Sequence, residues 1–158
     1  MTRRKFKLSH SISGLVALLA FQGLLVYLAP VGAVAWLTFC FGIVGAAITI
    51  YVATEVIEEV RNASHMLVLL SVVVVEFVIF FAVEYWFLII VSPGSFPTLA
   101  PDGASLLLHS TMVFVFNPLW LPANFIGRAF LLINTASALG LVLFILQNIW
   151  HFREAEKH

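Results

Sequence analysis

Apolar residues run through this chain in four long blocks, near 12–29, 34–53, 66–91 and 124–150, with polar residues confined to the gaps. Spanning the hydrocarbon of a bilayer takes about 20 consecutive apolar residues, so each block predicts a transmembrane helix. Pro30 and Gly32 mark a tight turn that makes the first two an antiparallel hairpin over 12–53. A polar, partly helical linker, 54–65, leads to the third block, which is long enough to tilt or to project beyond the hydrocarbon. Ser92, Pro93 and Gly94 stop that helix, and the Pro-rich run to Pro101 reads as an external loop. The stretch 102–128, DGASLLLHSTMVFVFNPLWLPANFIGR, is too apolar for such a loop and too broken by Pro118 and Pro122 for a span. It predicts a re-entrant segment, because irregular backbone survives at membrane depth only where protein or a water-filled cavity covers it. The expected fold is an all-α membrane protein: one domain over 1–158, four transmembrane helices, and a re-entrant helix-loop between the third and fourth.

Composition agrees, with 62% hydrophobic and 10% charged residues against about 45–50% and 25% in soluble domains. Net charge is zero, which leaves no basic surface for nucleic acid. Its distribution is more informative. Arg3, Arg4, Lys5, Lys7, Arg61, Arg153 and Lys157 all fall on one side of the predicted topology, and only Arg128 lies near the other. The positive-inside rule then makes both termini cytoplasmic. The basic start, the apolar run and the small residues after Gly32 also fit a cleaved signal peptide, but the run is near the upper limit for one, and retention is expected. The lone Cys40 offers neither disulfide nor thiolate site and reads as a small buried hydrophobe.

Small residues Gly42, Gly45, Ala46 and Ala47 predict a stripe on the second span where another helix approaches closely. Asp102 is the expected N-cap of a helix beginning at Gly103, with Ser105 three residues on. Tyr85 and Trp86 suit the interfacial belt. Glu76 and Glu84 lie within the third span, where a carboxylate needs a partner, a proton or water. For Glu76 the readings are an ion or proton site, or an acid bonded to Asn134 or Gln22; for Glu84 the expected partner is Arg128. On the last helix Gly127, Leu131, Asn134, Ser137, Ala138 and Leu141 share a small, partly polar face that lines a pore in a channel and packs helices in a bundle. No catalytic triad, phosphate loop or zincin motif is present, so no enzyme activity, cofactor or metal is predicted. His10, His65 and His151 at span ends carry only a weak haem or metal reading, and His109 is expected to make a polar contact within the loop.

An outer helix, an external loop, a short apolar helix, an irregular stretch and an inner helix form the order of 66–150, which resembles the two-helix pore module of potassium-type ion channels. Pro122-Ala123-Asn124-Phe125-Ile126-Gly127-Arg128, followed by Gly140 as the hinge glycine, match that family's junction into its inner helix. Where the family's filter reads Thr-Val-Gly-Tyr-Gly-Asp, this chain has Phe114-Val115-Phe116-Asn117-Pro118-Leu119. Filter glycines allow backbone that turns successive carbonyls toward the ion, a role for which Phe116 and Pro118 are unsuited. A potassium-selective filter is therefore not expected.

The resemblance implies a pore-lining set of Val113, Phe114, Val115, Phe116, Asn117, Pro118 and Trp120, with Asn134, Ser137 and Gly140 on the inner helix. It also implies a homo-oligomer, a tetramer in that family. Three outcomes follow for the module: a pore of different selectivity, a pore fold that does not conduct, or an unrelated re-entrant loop. The competing function class is a small accessory subunit whose apolar faces dock on a larger membrane complex.

Overall fold

A computed structural model describes residues 40–51 and 63–155 continuously, together with positions 13, 16, 17, 20, 21, 23, 24 and 54. The expected first span, Gln22 and the linker therefore lie largely outside the described residues, as do the side chains of His10, His65 and His151. Four helices are described: α1 (Cys40–Tyr51), α2 (Ala63–Val91), α3 (Gly103–Phe114) and α4 (Phe125–Ala155). Among the described residues there is no strand. Among the described residues two stretches are long and apolar enough to cross a membrane: Met66–Val91 in α2, which has the bounds of the expected third span, and Phe125–Gln147 in α4, which lies within the expected fourth.

Runs of Val, Ile, Leu and Phe make α2 apolar on every side. Its inner face buries Met66, Leu70, Val73, Phe77, Phe81, Tyr85 and Leu88, while Val68, Val72, Val75, Ile79, Trp86 and Ile90 stand exposed on the outer face. A helix in water shows polar residues on its outer face. Here that face is as apolar as the core, which suits a lipid solvent. Along α4 the same division recurs, with Phe130, Asn134, Ala138 and Leu141 buried and Leu132, Leu139, Leu143, Leu146 and Trp150 exposed.

Size complementarity joins α1 to this pair. A Cβ placed on Gly45 would lie 2.0 Å from the Phe80 ring, and one on Gly42 would lie 3.3 Å from Phe130, so the missing side chains let α1 close onto α2 and α4. Ala46 and Thr49 are buried beside them, the Thr49 hydroxyl donating to the Gly45 carbonyl at 2.9 Å. Ala47, expected on this stripe, is exposed: it lies two positions from Gly45, about 200° around the helix. Cys40 is exposed as well, at the first described residue of α1.

Candidate functional site

Asp102 opens α3 as the spacing predicts. Its extended backbone (φ −101°, ψ 152°) frees Oδ1 to accept from the Ser105 amide at 2.9 Å. That backbone hydrogen bond is the main reason its carboxyl sits below the usual carboxylate range. From there α3 runs beside α2 in the opposite sense. The Ser110 hydroxyl donates to the Val78 carbonyl at 2.8 Å, and the Phe114 ring meets Phe77 edge-on at 5.7 Å. Phe77 lies 14 residues before Val91, the end of α2, which is about 21 Å along a helix rising 1.5 Å per residue. The short helix thus reaches half-way along α2.

At that depth the chain reverses on a Schellman motif. The Phe116 amide donates to the Val113 carbonyl at 2.9 Å and the Asn117 amide to the Met112 carbonyl at 2.8 Å, so the last carbonyls of α3 find donors. The motif requires a left-handed residue, and Phe116 supplies it with φ 61°. Phe116 thus takes a conformation more usual for glycine, at a cost of about 1–2 kcal/mol, and Pro118 then prevents the helix from resuming.

The returning stretch ends where it began. Ala123 donates its amide to the Ser95 carbonyl at 2.9 Å. Asn124 caps α4, its Oδ1 accepting from the Gly127 amide at 2.8 Å while its amide reaches Ser92 Oγ at 3.4 Å. A Cβ on Gly127 would fall 2.8 Å from the Pro122 Cβ and 2.9 Å from the Ser95 oxygen. The junction that resembles the channel family is thus a close backbone approach which only glycine permits. Gly140, by contrast, is exposed, with no atom within 4 Å of an added Cβ.

Between the descending and returning limbs lies a buried polar cluster. His109, Tyr85 and Asn134 are all fully buried. Asn134 Nδ2 donates to the Tyr85 hydroxyl at 3.2 Å. The His109 ring is boxed edge-to-face by Tyr85 at 4.5 Å, Phe96 at 5.4 Å and Trp120 at 5.5 Å. Neither ring nitrogen of His109, nor Asn134 Oδ1, has a hydrogen-bond partner among the described residues. His109 therefore contacts aromatic rings rather than making the polar contact expected of it.

The remaining expected site residues divide by exposure. Val113 is buried and Phe114, Pro118 and Trp120 are half-buried, whereas Val115, Phe116 and Asn117 at the foot of the loop are exposed. Asn134 is turned inward and bonds Tyr85 rather than Glu76, and Ser137 is half-buried beside it. Glu76 is half-buried and Glu84 fully buried. Arg128, the partner expected for Glu84, is exposed. Tyr85, expected at the interface with Trp86, belongs to the core; its neighbour alone is exposed, at 40%. Among the described residues no group of His, Cys, Asp and Glu could hold a metal ion. Set against known protein families, curated proteins and solved structures, the chain matches none.

Proposed function

We propose that this chain is a multi-pass membrane protein, with four spans and both termini cytoplasmic, whose 66–150 half is a channel-type re-entrant module that assembles as a homo-oligomer around a shared axis. The observation that carries the reading is the path of α3: half-way down α2 to Phe77, reversal at Phe116, and return to Ser95. Within one chain α3 buries Leu106, His109, Ser110 and Val113, while most of the irregular stretch 115–124 stands exposed or half-buried, so its cover at membrane depth comes from the other copies. One such limb cannot enclose a water path, so conduction needs several copies, and closed rotational symmetry is the usual solution. Exposed Val115 and Phe116 at the foot then form an apolar constriction, which gates by excluding water. Cation passage without potassium selectivity follows from a foot that has no filter glycines.

The test combines mass and flux. The protein purified in mild detergent is expected to have the mass of a closed ring, and Phe116→Ala is expected to raise cation flux through reconstituted vesicles several-fold. A ring in which Phe116→Ala leaves flux unchanged overturns conduction and leaves a non-conducting pore fold. A monomer overturns the assembly itself.

A second reading, an accessory subunit of a larger membrane complex, is favoured by the buried cluster. Tyr85, His109 and Asn134 are consumed inside one chain, and what the loop offers outward, besides Asn117, is Val115, Phe116, Leu119 and Leu121. Co-purification with different chains in a fixed ratio is the outcome that selects it.

A further inference from the structure

Beside Trp86 the outer faces of α2 and α3 diverge and leave a groove of about 330 Å³. Ile79, Ala82 and Trp86 form one wall, Gly103 and Leu106 the other, and Pro101 the rim. These side chains are apolar apart from the indole N–H of Trp86. Water in the groove finds at most that one side-chain donor and no side-chain acceptor, so its natural occupant is hydrocarbon. The groove opens on the same side as the exposed apolar stripe of α2, to which Ile79 and Trp86 belong. Whatever medium wets that stripe therefore also fills the groove.

Charge at the rim narrows the occupant further. Asp102 stands between Pro101 and Gly103, exposed, and it is the one Asp, Glu, Lys or Arg between 92 and 124. An anionic headgroup above the groove meets a like charge there, whereas an ammonium meets a carboxylate and, in Trp86, an indole face that attracts cations. At Gly103 no atom lies within 4 Å of an added Cβ, so the wall stays open beside the charge.

We infer that this groove is a lipid site, holding one acyl chain of a phospholipid whose headgroup ammonium pairs with Asp102. The inference rests on the membrane reading but not on conduction or oligomeric state. Partly exposed ion pairs are worth little, so the preference for an ammonium lipid over an anionic one is about two- to fivefold. It is a selective site within a surface that otherwise takes any lipid.

The experiment is quenching of Trp86 fluorescence in the full chain carrying Trp36→Phe, Trp120→Phe and Trp150→Phe. Vesicles contain brominated phosphatidylethanolamine or brominated phosphatidylglycerol at equal mole fraction. Stronger quenching by the ethanolamine lipid is expected. Asp102→Asn, which keeps an N-cap acceptor while removing the charge, is expected to abolish the difference, and Gly103→Leu to lower quenching by both lipids. Equal quenching by the two lipids in the parent chain overturns the proposal, and so does a preference that survives Asp102→Asn. Mass spectrometry of lipids retained by the otherwise unaltered protein gives the same contrast should the Trp-substituted chain not fold. Retained ethanolamine lipid that falls in Asp102→Asn supports the site, and unchanged retention overturns it.

Discussion

The two ends of the returning stretch are turned by opposite means. At Gly127 the backbone angles are ordinary and space is the constraint: Pro122 and the Ser95 carbonyl occupy the volume a side chain would need. At Phe116 there is space, with the side chain 46% exposed, and the backbone angle is the constraint. One position uses glycine for its size alone, and the other does without glycine where its conformational freedom is wanted. A glycine in a turn region thus does not identify the residue with the unusual φ. Nor does its absence exclude one.

Breaking the crowded end should cost most. Gly127→Val forces its Cβ and methyls into Pro122 and Ser95, and a loss of about 3 kcal/mol is expected, read as a lower midpoint of unfolding in mixed micelles. Gly127→Ala should fall between the two. A Gly127→Val protein as stable as the parent would mean that Ser95 and the α4 junction do not touch.

Between the two ends, Tyr85→Phe leaves the buried Asn134 amide without its acceptor, and a loss of about 1–2 kcal/mol is expected by the same measurement. Exchange protection at the Asn134 side-chain amide should fall with it.

The strained end should respond in the other direction. Phe116→Gly is expected to raise stability by up to about 1 kcal/mol, the left-handed cost relieved less the added freedom of glycine in the unfolded chain. Phe116→Ala keeps a Cβ and so keeps the strain, which makes the pair of variants a check on backbone rather than side chain. Equal midpoints for both would remove the Schellman turn.

Smallest of all is the effect at Asp102. Its carboxyl is held low by the Ser105 amide, so the cap is complete above the ordinary carboxylate range and is lost as pH falls through the depressed folded value. Amide exchange at Ser105 should accelerate on acidification in the parent chain, while in Asp102→Asn it should show no such carboxyl titration.

What was legible in the sequence follows from where polar residues punctuate apolar ones. Asp102 and Ser105 announced the start of α3, the Ser92-Pro93-Gly94 run the end of α2, and Pro122 with Asn124 the start of α4. Facing was much harder to read. Tyr85 and Trp86 are neighbours of similar character, yet one is buried and the other exposed, and where every side of a helix is apolar the period that assigns faces loses its contrast. The turn at Phe116 carried no residue signal; its only trace was the stop at Pro118 two residues later.

The uniform apolarity of α2 bears also on how that helix is kept from spinning. Among its Val, Ile, Leu and Phe positions, turning it about its own axis exchanges one apolar side chain for another, so only buried Glu84 and the Tyr85–Asn134 bond give solvation a hold on its angle. Shape adds the rest: Phe80 indexed in the notch at Gly45, with the Val78 carbonyl as a pawl caught by Ser110. Such a helix behaves as a shaft on a keyway, firm against sliding or turning while the key is in place and free to rotate once it is filed away.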